Sequence, residues 1–82
     1  MNYVKCLPLK NLQDAEVIMK EVFDGNIVIA SVGELKDECE TQKIEILESK
    51  LATESQINGW DIALLGTFRY IICPKGTRVW RW

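Results

Sequence analysis

"NLQDAEVIMKEVFDGNIVIAS", residues 11–31, decides the fold. It carries two hydrophobic periods in succession. Over residues 11–26, Leu12, Ala15, Ile18, Met19, Val22 and Phe23 recur at helical spacing and make one apolar arc. Val17 lies on the opposite side and is expected to face water. Asn11 is placed to cap this helix, and Asp14 falls in the first turn, where the helix dipole favours negative charge. Gly25 is placed to stop it in a left-handed conformation. Over "NIVIAS" (26–31) the pattern becomes a nearly continuous apolar run rich in β-branched residues. Such a run suits a central strand buried on both faces. Upstream, "YVKCLPL" (3–9) reads as a first strand that stops at Pro8. Strand, helix, strand in that order predicts a right-handed crossover and a parallel first pair.

Downstream, "GELKDECETQKIEILESKLATESQ" (33–56) reads as a loop and a second helix. Ile44, Leu47 and Leu51 form its core stripe. Cys39, Ile46 and Ile57 lie on another side, which makes a wider core contact or the wall of a partner groove. "NGWDIALLG" (58–66) opens with a turn dipeptide and continues as a strand. "TFRYIICPKGTRVWRW" (67–82) reads as a hairpin around Pro74-Lys75-Gly76, a type I turn followed by a left-handed glycine. That register sets Tyr70 opposite Trp80 and Phe68 opposite Trp82, with Ile72 and Arg78 on the same face. Arg69, Ile71, Cys73, Val79 and Arg81 take the other face. A two-residue Lys75-Gly76 loop would shift the register by one and turn Trp80 to the face of Ile71.

The expected fold is an α/β two-layer sandwich over residues 1–82. Its order is β-α-β-α-β-β-β, a five-stranded mixed sheet with two helices on one face. The other face is then bare, yet the last strands are apolar on both sides. A wet face of that kind is costly, and a homodimer through the sheets covers it. The expected interface is Phe68, Tyr70, Ile72, Arg78, Trp80 and Trp82. Several buried aromatics, each hiding about 150–250 Å², would stabilise such a pair.

Composition narrows the function. The chain is 48% hydrophobic and 27% charged, which is globular rather than disordered. Ten basic and twelve acidic residues leave a net charge of −2, a poor match to nucleic acid. Lys75, Arg78 and Arg81 beside Trp80 and Trp82 are the one cluster suited to stacking single strands. No apolar run is long enough to cross a bilayer, and no signal peptide is read before the first strand. Three widely spaced cysteines (Cys6, Cys39 and Cys73) and no histidine give neither a disulfide framework nor a zinc site. They fit small buried apolar residues in a reducing cytoplasm.

Catalytic sets are not found. Without histidine there is no ordinary base near neutral pH. Nucleotide-loop and nucleophile-elbow patterns do not occur. Asp61 reads as a polar strand start rather than a catalytic carboxylate, and Cys73 has no partner base. Glu34, Asp37, Glu38 and Glu40 read as a solvated helix start rather than a cation site. No cofactor, metal or catalytic residue is expected.

Two segments together resemble a known family. "VKCLPLKNLQDAEVIMKEVFDGNIVIA" (4–30) is similar to the opening of the conserved domain of SepF-like cell-division proteins, with its Gly25-Asn26 turn before a buried strand. "NGWDIALLGTFRYIICPKGTRV" (58–79) resembles the close of that domain, with an Asp-Ile step, Gly66 before the next strand and Cys73-Pro74 at the last turn. The resemblance spans nearly the whole chain and is nearer the archaeal branch. It implies a non-enzymatic dimeric adaptor that binds the C-terminal tail of the tubulin-like protein FtsZ and tethers division filaments to the inner face of the membrane. The tail is expected near the dimer seam, with Cys39 and Ile46 as a candidate wall. The family anchors by an N-terminal amphipathic helix, whereas only Met1 and Asn2 precede the first strand here. Residues 1–82 are therefore expected to be an excised core, or to reach the membrane through another protein. The second helix also lacks the glycine that bacterial members associate with polymer assembly. The alternatives are another oligomeric α/β regulatory module or a single-stranded nucleic-acid binder.

Overall fold

The computed structural model describes residues 2–33 and 38–80, leaving aside the side chains of Glu38 and Cys39. Six elements follow in order: β1 (Val4–Pro8), α1 (Leu12–Phe23), β2 (Ile27–Ser31), α2 (Glu38–Asn58), β3 (Asp61–Leu64) and β4 (Arg69–Cys73). They form a four-stranded mixed sheet in the order β1-β2-β4-β3. β1 runs parallel to β2, as the crossover predicts, and β4 is antiparallel to both β2 and β3.

Helix α1 begins and ends as its sequence dictates. The Asn11 side chain accepts from the Asp14 N–H at 2.8 Å, and Asp14 in turn accepts from the Lys10 N–H at 2.9 Å. This reciprocal pair satisfies donors that a helix start leaves orphaned. At the far end Gly25 takes a φ of 91°. Its N–H donates to Val22 and that of Asn26 to Glu21, each at 3.0 Å, which is the Schellman pattern. Below this turn Asn26 is buried and bonded through both its amide oxygen and its amide nitrogen. It accepts from the Tyr3 N–H at 2.9 Å and donates to Glu21, which is ion-paired with Lys5.

Both helices pack on one side of the sheet. Ala15, Ile18 and Val22 of α1 and Ile44, Leu47 and Leu51 of α2 meet Val28, Ala30 and Ile72 in a single core. Leu7, Ile62 and Tyr70 pack against its edge. The arc of α1 is narrower than its spacing suggests, since Leu12 and Phe23 at its ends are exposed. Val17 is exposed as expected. Ile46 and Ile57 of α2 are exposed too, so they make no wider core contact.

The expected fifth strand is corrected. Among the described residues 77–80 form no strand, and Arg81 and Trp82 lie outside the description. The reason is topological. β4 already has β2 on one edge and β3 on the other, so it has no edge left for residues 77–80. Tyr70 is paired with Ala30 and Leu64, not with Trp80. The expected pairing of Phe68 with Trp82 involves a residue outside the description. The hairpin that does form joins β3 to β4 through Gly66, whose φ is 74°, and closes with the Leu65 N–H on the Arg69 carbonyl at 2.8 Å. Pro74-Lys75-Gly76 still makes a turn, with the Thr77 N–H donating to the Pro74 carbonyl at 3.0 Å. The chain beyond it returns to Asp61 instead, whose carboxylate accepts from the Val79 N–H at 2.7 Å.

Candidate interaction surfaces

Alternation along the strands assigns every side chain to a face. Val28, Ala30, Ile72, Tyr70 and Ile62 point to the helices. Ile27, Ile29, Ile71 and Ala63 therefore point away, with Cys6 beside them, and Ile29 is paired with both Cys6 and Ile71. These four are only half-buried and Cys6 is exposed. The open face is thus aliphatic. At one end Asp61 and Cys73 are buried, where the chain returns after Pro74.

The six expected interface residues do not gather on this face. Ile72 is fully buried in the helix-side core. Tyr70 also points to the helices, where its hydroxyl donates to the Glu48 carboxylate at 2.6 Å. Desolvation first, then the bond to Glu48 and its charge, push the phenol up to about 12. Both are corrected from the open face to the closed one, because their register is set by β2 and β3. Phe68 lies half-exposed in the β3–β4 loop, with its carbonyl accepting from the Val32 N–H at 2.8 Å. Arg78 is exposed, Trp80 is 77% exposed, and Trp82 falls outside the description. Of the two candidate wall residues on α2, Ile46 is exposed, and the side chain of Cys39 lies outside the description.

Among the described residues, several open grooves surround the sheet, and three of them differ in their charged lining. One of about 530 Å³ runs between α2 and the β3–β4 pair, with Glu45, Glu48, Leu64 and Tyr70 among its walls. A second, of about 590 Å³, lies at the end of the open face between Pro8, Lys10, Ile29, Leu65 and Arg69. A third, of about 470 Å³, sits where the helices end, lined by Phe23, Ile57, Trp60 and Lys75. There Phe23 stands edge-on to Trp60 with ring centroids 5.0 Å apart. Sequence reasoning passed over this contact. Phe23 fits the core arc by spacing, yet at the end of α1 it is exposed and meets only the edge of the core at Trp60.

Charge is sparse in the interior. Glu21 is held below the usual carboxylate range chiefly by its hydrogen bond from Lys5, with the lysine's charge adding to it. No group of three or more potential metal ligands occurs among the described residues, and no described helix is long and apolar enough to cross a membrane.

The geometry defines an α/β sandwich whose distinctive surfaces are an aliphatic open face and shallow grooves. Solved structures share this fold closely. A SepF-like protein from Archaeoglobus fulgidus superposes with a TM-score of 0.86 and 26% identity, covering 96% of this chain and 93% of that one. A SepF-like protein from Pyrococcus furiosus gives 0.83 and 23%, covering 96% and 94%. The cell division protein SepF from Methanobrevibacter smithii, solved in complex with FtsZ-CTD, gives 0.78 and 21% with full coverage of both chains. No protein-family model and no curated protein matches the sequence. The fold of this chain is that of these SepF-like structures, in line with the resemblance carried by residues 4–30 and 58–79.

Proposed function

We propose that this chain is a non-enzymatic cell-division adaptor that works as a homodimer, binds the C-terminal tail of FtsZ and helps link division filaments to the membrane. The observation that carries the reading is the SepF-like fold over almost the whole chain, with one such structure captured on FtsZ-CTD. The open face supports the dimer. Ile27, Ile29, Ile71 and Ala63 offer an aliphatic surface that a two-fold partner can cover with the same residues. The interface therefore moves from the aromatic set to this aliphatic one, with Phe68 and Trp80 left as candidates at its margin. The α2 surface around Cys39 and Ile46 is one candidate wall for the tail, and Ile46→Lys tests it.

An adaptor of this kind acts at the division site on the cytoplasmic face of the membrane. Contact with the membrane is assigned to an amphipathic anchor of the family type or to another protein. The test is co-sedimentation with FtsZ filaments. The protein should pellet with filaments of intact FtsZ and stay in solution with filaments lacking the C-terminal tail. Equal pelleting with both kinds of filament would remove the tail from the mechanism, and no pelleting with either would remove FtsZ.

A further inference from the structure

The groove between the end of β1 and the β3–β4 loop differs from its neighbours in charge. Among the described residues its ionised wall groups are Lys10 and Arg69, both cations, in a chain whose net charge is −2. Ile29 and Leu65 supply apolar lining between them. The α2 groove carries Glu45 and Glu48 instead and would repel an anion. The notch at Phe23 and Trp60 offers Lys75 alone. A short peptide with apolar side chains and a carboxylate is therefore received best at the groove of Lys10 and Arg69. Carboxylates bind guanidinium and ammonium groups strongly, and capture of a C-terminal carboxylate is a recurrent mode of peptide recognition.

We infer that the Lys10–Arg69 groove captures the free α-carboxylate at the end of an apolar C-terminal peptide. This rests on the FtsZ reading, because the tail of a polypeptide ends in that group by definition. The groove adjoins the open face through Ile29, so a tail seated there lies beside the proposed dimer seam. The helices pack on the other side of the sheet, so this groove places the carboxylate end of the tail away from the α2 surface. Lys10 and Arg69 are themselves exposed, and the Lys10 backbone rather than its side chain serves the cap of α1. Their substitution leaves the core untouched.

The experiment compares a labelled FtsZ C-terminal peptide with a free carboxylate and the same peptide amidated. Each is titrated by fluorescence anisotropy into the unaltered protein and into Lys10→Gln/Arg69→Gln. Amidation should weaken binding to the unaltered protein by about tenfold, as loss of a charge-assisted contact does. The double variant should bind the free acid as weakly as the amide, with no further loss on amidation, since the two changes remove one interaction. Affinity for the free acid should also fall as salt is raised. Equal binding of acid and amide to the unaltered protein overturns the assignment while leaving the FtsZ reading intact, and so does a variant that still discriminates them. If neither peptide binds the unaltered protein, the FtsZ reading itself falls and takes this assignment with it. A variant that turns from dimer to monomer makes a second copy the occupant and overturns the assignment. Should the variant not fold by circular dichroism, the acid–amide contrast on the unaltered protein decides alone.

Discussion

The two sides of the sheet are built from similar residues and meet different fates. Val28, Ala30 and Ile72 are sealed under two helices, while Ile27, Ile29 and Ile71, one residue along in each strand, remain half-exposed. The residue types are nearly interchangeable, so hydrophobicity alone does not say which side a helix covers. What separates them is register. α1 and α2 spend their buried residues on one side, and strand alternation leaves the rest for something else. In the proposed function that something is a second copy.

Substitutions on the two sides should therefore break different things. Ile72→Ala empties a fully buried site and should lower unfolding stability by about 2–5 kcal/mol, read from urea denaturation at one fixed protein concentration. A loss below about 1 kcal/mol would mean that the helices do not seal this face. Ile71→Lys, its neighbour on the open side, should leave a folded protein by circular dichroism but shift its sedimentation from dimer to monomer. Unchanged mass would take the open face out of the interface. Asn11→Ala should cost about 1 kcal/mol through loss of the α1 cap, without changing the mass.

The smallest expected effect is in pH. Tyr70 is neutral and bonded to Glu48, with its phenol raised from 10.0 to about 12. A raised folded value means that its contribution to stability is complete below pH 10 and is lost as pH rises through 12. In a Tyr3→Phe background, alkaline absorbance titration should place the remaining tyrosine near 12. An ordinary phenol value there would mean that Tyr70 faces water and not the helices. Glu21 works in the opposite direction. Its lowered value makes the bond to Lys5 a contribution present above the ordinary carboxylate range and lost as the pH falls from that range through the lowered folded value.

Local features were legible because their causes are local. The Asn11 cap, the Gly25 stop and the stripe at Ile44, Leu47 and Leu51 all stand as their spacing implies, whereas the strand at Ile27–Ser31 forms but is buried on one face only, with Ile27 and Ile29 half-exposed. The neighbour of β4 was not. Glycine turns flank it on both sides, at Gly66 and at Gly76, and each can begin a hairpin. A signal was nevertheless present. "YIIC" is apolar on successive residues, as a central strand is, and a central strand has no edge to give to a C-terminal hairpin. Reading that run as central moves Tyr70 and Ile72 to the closed side. Phe23 escaped for the converse reason, since its one aromatic partner, Trp60, reaches it only after a helix of 21 residues and so is not readable from the spacing of α1.

The central claim is that this fold receives an FtsZ tail. Isothermal titration of the synthetic C-terminal peptide into the 82-residue protein tests it most directly. A saturable isotherm with one peptide per protomer and a micromolar dissociation constant, about −8 kcal/mol, is the predicted result. The absence of saturable binding at millimolar peptide, with the protein folded and dimeric in the cell, would contradict it.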